Sequence, residues 1–476
     1  MFVDRQAELA FLNQRAAQSK AQLILLYGRR RVGKTRLLLH WAQQSELSYT
    51  YWSAEKEPAD LQRRKLYGQL QSIPVRRTPL FDSWAELWTA VSEIVGDKKH
   101  ILILDELPYA LDSDRATLSA LQHAWDHLFQ HSNLIIVLCG SQVRVMESIL
   151  YHQSPLFGRM TGQWHLQQLP FHSLQEFFPT YSAAERVALY ALVGGVPAYL
   201  DWLDKKIGLV DNIRDVMLQG GSIFLAEPMF LLYDEVREPQ SYLTVLKAIG
   251  EGNHTLKEIQ TATMISTSHL SPYLTRLQEL KLVERRLPML MPPAKRRKSR
   301  SGRYHLLDGY FRFYFRFIAP FAAQLPFYPD PILAKVRNEL RAFVGLTAFE
   351  ELAQQWVQQQ ARRGKMPFMP EFIGRHWSRT VQIDVAAVNW RDKQVLLGEC
   401  KWGDNPVTKQ VARELFERKT PRVEKELAQY GANWQLHHAF FARAGFTPAA
   451  KAWLDEQHAM AVTLPLLDAG LQPEQQ

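Results

Sequence analysis

Cysteine is nearly absent: the 476 residues hold two, Cys139 and Cys400, both inside apolar runs. A disulfide framework is therefore not expected, and a reducing, cytoplasmic setting is. Long apolar stretches are missing too. None approaches the roughly 20 residues that span a bilayer, so no membrane role is expected. The opening Met1-Phe2-Val3-Asp4-Arg5 has neither the basic start nor the apolar stretch of a secretory signal. Acid is in deficit, with 48 Asp and Glu against 57 Lys and Arg and a net charge of +9. That excess argues for an anionic partner only where the basic residues cluster. The 46% apolar and 22% charged content is ordinary for a globular protein, and the length exceeds what one core supports, so about two to four domains are expected.

Near the N-terminus, Gly28-Arg29-Arg30-Arg31-Val32-Gly33-Lys34-Thr35 fits the phosphate-loop pattern G-x-x-x-x-G-K-[ST]. The apolar run Leu23–Tyr27 before it predicts a buried strand, and Arg36–Trp41 after it predicts the first turns of a helix. Such a strand, loop and helix wrap backbone N–H groups around phosphates at a positively polarised helix end. Lys34 is expected to reach the β- and γ-phosphates and Thr35 to ligate Mg²⁺, so ATP and Mg²⁺ are the expected cofactors. Ile101–Leu104, followed by Asp105 and Glu106, predicts a strand whose first acid holds the Mg²⁺ shell and whose second polarises the attacking water. A third run, Leu134–Gly140, ends at Ser141, whose hydroxyl suits γ-phosphate sensing. Strand runs separated by helical spacing predict a parallel α/β sheet.

Three further segments carry a resemblance. Phe2-Val3-Asp4-Arg5-Gln6-Ala7-Glu8-Leu9 resembles the F-x-x-R-x-x-E-L segment of archaeal-type ATPases in the AAA+-related STAND group. Ser154-Pro155-Leu156-Phe157-Gly158-Arg159 resembles the S-P-L-[YF]-G-R stretch of that family, and Gly194-Gly195-Val196-Pro197 its G-G-x-P segment. The resemblance implies an adenine beside the first segment and a helical lid carrying the last. It also implies Arg159 as a cation for the phosphates or for a neighbouring subunit's nucleotide, which fits oligomerisation. A surface arginine on a loop is the plain alternative.

Beyond Ser241 short amphipathic helices are predicted. One carries Leu270, Leu274, Leu277 and Leu280 and is expected to start close to Ser271, because Pro272 suits a first helical turn. Strand-like Leu282–Leu287, then a basic loop with Lys295, Arg296, Arg297, Lys298 and Arg300, then Tyr304–Leu306 complete the order of a winged helix-turn-helix. In that arrangement Ser268, His269, Thr275 and Arg276 would face DNA while the basic loop meets phosphates. Docking of a protein partner on the same module is the competing expectation.

Further on, Val381–Val388 and Val395–Lys401 flank the turn-like Trp390-Arg391-Asp392-Lys393. With Asn389 facing Gln394, the register sets Asp384 opposite Glu399, and Lys401 shares their face. Two carboxylates so close call for a cation between them, Mg²⁺ or Mn²⁺, with Lys401 free to stabilise charge on a phosphate. Asp…Glu-x-Lys resembles the signature of the PD-(D/E)xK nuclease superfamily, and the segment resembles the restriction-endonuclease-like domain that often follows archaeal-type ATPases. That likeness implies a further acid on a preceding helix, Glu350 rather than Glu351, and phosphate contacts from Lys409 and Gln410. Ile383 stands where the superfamily pattern has proline. An exposed hairpin with ordinary salt bridges, or a nuclease fold that binds without cutting, are the alternatives.

The expected fold is multidomain α/β: a P-loop parallel-sheet ATPase core at 1–165, a helical lid at 166–235, a winged helix-turn-helix at 236–325 and an α/β restriction-endonuclease-like domain at 326–476. The expected function is an ATP-binding and hydrolysing switch coupled to DNA binding and metal-dependent DNA cleavage. Glu106, Glu350, Asp384, Glu399 and Lys401 are its catalytic groups. An ATP-dependent DNA-binding regulator, or a scaffold ATPase with a non-cleaving C-terminal domain, is the alternative.

Overall fold

Unbroken apolar runs, whose successive residues face opposite sides, build the N-terminal sheet. A computed structural model of the protein describes residues 2–233, 235–297, 299–322, 325 and 329–473. Strands β1 (Gln22–Tyr27), β2 (Ser48–Ser53), β3 (His100–Asp105), β4 (Leu134–Gly140) and β5 (Gly162–His165) pair in the order β2-β3-β4-β1-β5, every pair parallel. Leu23, Leu25, Leu102, Leu104, Ile136 and Leu138 face a core with Trp84, Trp88 and Phe129. Their sequence neighbours Ile24, Leu26, Ile101, Ile103, Ile135 and Val137 face a second core with Leu37, Leu38 and Trp41 of the helix Lys34–Gln44. Burial on both faces is why these strands read as unbroken apolar runs. Two strands went unread in the sequence: β2 is half polar at the edge of the sheet, and β5 is four residues long.

Parallel strands all end at one edge, so the segments after β1, β3 and β4 emerge together. With β4 between β1 and β3, Ser141 follows a strand flanked by the one preceding Gly28 and the one ending in Asp105.

The chain divides into two compact units, Met1–Leu169 with Val196–Tyr199, and Pro170–Gly195 with Leu200–Gln476. In the second unit, helices Pro239–Gly250, Leu256–Thr263 and Thr267–Glu279 precede an antiparallel pair, β6 (Val283–Arg286) with β7 (Arg303–Leu306). The third helix starts four residues before Ser271 and holds Pro272 inside it. Pro272 lies past the first turn and forfeits a backbone bond at a cost of about 3 kcal/mol, so tertiary packing overrides the local preference and the expected start was too late. A mixed five-stranded sheet follows, ordered β12-β11-β10-β9-β8. Its strands are β8 (Phe372–Trp377), β9 (Gln382–Asn389), β10 (Gln394–Lys401), β11 (Gln435–Ala442) and β12 (Met460–Thr463). Strands β8, β9 and β10 run antiparallel in turn, and β10, β11 and β12 are parallel. Cys139 and Cys400 are both free. Among the described residues no helix is long and apolar enough to cross a membrane.

Candidate functional sites: a phosphate loop and an acid–lysine cluster

The loop after β1 needs glycine at both ends. A Cβ on Gly28 would stand 2.3 Å from the Leu166 carbonyl oxygen, and Gly33 caps the following helix at φ +91°. Lys34 is buried and donates to the Arg29 carbonyl at 3.1 Å. Thr35 Oγ1 donates to Asp105 Oδ2 at 2.6 Å, and the Tyr51 hydroxyl donates to the same oxygen at 3.1 Å. Burial and the Asp105 charge push the Tyr51 phenol well above its ordinary pKa. Glu106 sits at φ +47°, and its Oε2 accepts from Ser141 Oγ at 2.8 Å and from the Ser141 N–H at 3.3 Å. Lys34, Thr35, Asp105, Glu106 and Ser141 thus meet at one edge of the sheet.

The other loop residues divide by task. Val32 is fully buried in the core, so its side chain is structural. Arg30 Nη2 donates to the Tyr109 hydroxyl at 2.7 Å, and Arg29 and Arg31 are also engaged. Arg5, which the sequence marked only as part of a family motif, is buried and ties the N-terminal segment to the loop. It donates to the Val32 carbonyl at 2.9 Å and to the Gln167 carbonyl at 2.8 Å, and it pairs with Glu8 at 2.8 Å. Phe2 stacks on His40 of the loop helix at 3.8 Å.

Arg159 is a correction for this chain's own phosphates. It precedes β5, so it lies at the edge where parallel strands begin, opposite the loop. Its guanidinium forks onto Asp126, Nε to Oδ1 and Nη2 to Oδ2, both at 2.8 Å. This pairing holds the Asp126 carboxyl below its ordinary value.

The residues present fit a nucleotide with Mg²⁺. The buried ammonium of Lys34, the helix start behind Gly33 and the Thr35–Asp105 oxygen pair are the donor set for phosphate and a hard cation.

The basic segment differs from an open loop. Lys295 and Arg296 close a short helix, Pro293–Arg296. Lys295 stands 4.9 Å over the Tyr430 ring and Arg296 stands 4.5 Å over Phe372 of β8. Met289 N–H donates to the Arg375 carbonyl at 3.0 Å, and Leu290 joins the core beneath the C-terminal sheet. The segment is therefore fastened down by apolar and aromatic packing, which corrects the expectation that Arg296 is free for phosphates, while Lys295 stays exposed beside its ring. Arg297 and Arg300 are exposed, and Lys298 lies outside the described residues. Arg276 is a second correction: it turns onto the Glu235 carbonyl at 2.9 Å and Glu279 at 3.3 Å. Ser268, His269 and Thr275 remain exposed on its helix.

In the C-terminal sheet the pairing runs from Gln394↔Asn389 to Gly398↔Val385, the register the turn length implied. One step further brings Asp384 to Glu399. Asp384 Oδ2 accepts from the Cys400 N–H at 3.0 Å. Glu399 is clasped on both oxygens, by Lys401 at 2.8 Å and by Lys419 at 2.6 Å. Glu350 is buried on the helix Glu350–Arg362, which is tied to β9 through Gln354 Nε2 and the Asp384 carbonyl at 3.0 Å. Arg375 Nε lies 2.7 Å from Glu350 Oε2. Burial raises Glu350 to about 8 against the partial offset of Arg375, with the nearby Asp384 charge adding to the rise. Burial and Glu399 also raise Asp384. Burial alone would lower Lys401, but Glu399 outweighs it and leaves it raised. Lys419 and Arg375 carried no sequence signal. Lys409 and Gln410 are exposed at the start of a six-residue helix.

Lysine ammonium groups face both Glu399 oxygens, so Asp384 and Glu399 could share a divalent ion only with Lys401 or Lys419 displaced. Among the described residues no group of three or more His, Cys, Asp or Glu could hold a metal ion.

Fold and phosphate loop together define a P-loop nucleotide-binding α/β protein. Residues 2–203 match a family described as an ATPase domain predominantly from Archaea, and residues 314–415 match one described as archaea bacterial proteins of unknown function. The chain is 33% identical over 431 residues to uncharacterized protein MJECL04 of Methanocaldococcus jannaschii, covering 88% of this chain and 92% of that one, and it belongs to the same family. A 47-residue stretch is 49% identical to uncharacterized ATP-binding protein MJ0423 of the same organism, covering 10% of this chain and 80% of that one. Among solved structures, the Walker-type ATPase paby2304 of Pyrococcus abyssi superposes with a TM-score of 0.50 at 19% identity, over 66% of this chain and 96% of that one. That likeness is one of fold. The N-terminal unit is an ATPase domain.

Proposed function

We propose that this protein is an ATP-hydrolysing switch whose second unit binds DNA and processes its phosphodiesters. The observation that carries the switch is the convergence of Lys34, Thr35, Asp105, Glu106 and Ser141 at one sheet edge. Lys34 compensates phosphate charge, and Thr35 with Asp105 would hold Mg²⁺, which would supply neutralisation of the charge developing on the phosphates. Glu106 accepts a proton from the attacking water. Ser141 is a positioning residue, since its hydroxyl and N–H hold the Glu106 carboxylate in one orientation.

DNA binding is read from the helix Thr267–Glu279 with its exposed Ser268, His269 and Thr275, and from Arg297 and Arg300, in the order of a winged helix-turn-helix. Cleavage is read from Glu350, Asp384, Glu399 and Lys401. The test incubates wild type and Asp384→Ala with plasmid and single-stranded DNA, with Mg²⁺ or Mn²⁺, with and without ATP. Cutting by wild type alone supports the reading, and identical, metal-independent results from both proteins sink it.

A second reading, a DNA-binding regulator that does not cut, is favoured by the Lys401 and Lys419 clasp on Glu399. Lys419→Ala separates the two. Under the cleavage reading it opens Glu399 and preserves or raises cutting; under the regulatory reading neither protein cuts and DNA binding persists.

A further inference from the structure

A cavity of about 490 Å³ opens between the basic segment and the end of β8, and neither the phosphate loop nor the acid–lysine cluster lines it. Four cationic side chains line it, Lys295, Arg300, Arg303 and Arg379, against a single acid, Glu426. Both Glu426 oxygens are already engaged, by His376 Nε2 at 3.0 Å and by Thr380 Oγ1 at 3.0 Å. The cations therefore exceed the charge available to neutralise them. Two aromatic rings share the wall, Trp377 and Tyr430. Each is covered by a cation, Trp377 by Arg303 of β7 at 4.9 Å and Tyr430 by Lys295 of the basic segment at 4.9 Å.

We propose that this cavity binds a base-bearing phosphate, a nucleoside monophosphate taken either free or as the terminal nucleotide of a DNA strand. The excess cations suit a phosphate monoester, whose double charge an internal phosphodiester lacks. A base can stack where a cation now covers a ring, because guanidinium and base compete for the same π-face. The volume lies in the range of small-molecule sites. The inference stands on the cavity alone and does not rest on the ATPase or cleavage readings.

Equilibrium dialysis of the full chain tests it, with Lys34→Ala as background to remove nucleotide bound at the phosphate loop. The probes are AMP, a 5′-phosphorylated single-stranded oligonucleotide and its unphosphorylated twin. Saturable one-to-one binding is expected, weakened about tenfold by Trp377→Ala and by Arg379→Ala and retained by Trp377→Phe. Arg379 is exposed, so lost binding with unchanged melting separates loss of the site from misfolding. Binding of AMP identifies the free nucleotide, and binding of the phosphorylated strand without AMP identifies the strand end. The proposal is overturned if AMP fails to bind and the phosphorylated strand binds no better than its twin, or if Arg379→Ala and Trp377→Ala bind the probes as the parent does.

Discussion

Glu106 carries its carboxylate on a left-handed backbone, φ +47°, that residues with a Cβ seldom adopt. Such strain persists where the surroundings over-determine it, and here Ser141 and the Asp105 side chain do so: Asp105 Oδ1 accepts from the Glu106 N–H at 2.9 Å. Glu106→Gln keeps the shape and removes the base. ATP binding by filter or fluorescence assay is expected to survive while turnover falls about 100-fold or more; equal turnover would remove Glu106 from the chemistry. Glu350 gives a second expectation. Burial raises it from an ordinary 4.5 to about 8. Between those values the folded chain holds a proton that the unfolded chain has released, so stability declines as pH rises through the window. Replacement by glutamine removes that dependence. The melting temperature of Glu350→Gln relative to wild type should therefore climb from pH 5 to pH 8 and level off above, and a difference independent of pH would contradict the raised value. Sequence carried part of this scale. A four-residue turn fixes register, so the approach of Asp384 to Glu399 could be counted off. Lys419 and Arg375 reach their acids from other elements, and no local pattern announces a contact made across the fold. Arg159 misled for the same reason, because a motif position does not say which edge of a sheet it occupies.

Among elements, the helix beginning at Glu350 is where adjacent acids take opposite roles. Glu350 faces the C-terminal sheet, while Glu351 receives Arg286 of β6 at 2.8 Å and Arg312 of the helix Gly309–Phe313 at 2.6 Å. Burial would raise Glu351, but the two guanidinium groups, Arg312 foremost, outweigh it and hold the carboxyl at about 2. Its contribution is thus full at neutral pH and is lost as pH falls from about 4.5 towards 2. Glu351→Ala leaves Arg312 without its carboxylate and Arg286 with Glu284 alone, a change of about 3 kcal/mol. Hydrogen exchange is expected to quicken in β6 and in Gly309–Phe313 while β1 and β3 keep their protection; unaltered exchange in β6 would mean the pairing stabilises nothing. The strands β9 and β10 were readable because apolar runs and a turn define them. The fastening of Arg296 was not, because a basic run reads as solvated loop unless its aromatic partner, here Phe372, is known.

At the scale of the whole molecule the net charge of +9 has to be divided before it says anything about DNA. Arg276 is spent on Glu235 and Glu279, and Arg296 on the Phe372 ring, which leaves Lys295, Arg297 and Arg300 as exposed members of the expected interface among the described residues. Phosphate contacts release counterions, so each should add close to one unit to the slope of log affinity against log salt. Arg297→Ala is then expected to weaken binding to every sequence and to lower that slope by about 1. Ser268→Ala and Thr275→Ala, on the exposed face of the helix Thr267–Glu279, should instead change which sequence is preferred and leave the slope alone. Fluorescence anisotropy across a salt series on two unrelated duplexes reads both quantities at once. A slope unmoved by Arg297→Ala, together with an unaltered preference in the serine and threonine variants, would take DNA away from this face and leave it to a protein partner. The same helix and basic segment would then serve as a docking surface, and charge excess would no longer bear on the partner's chemistry.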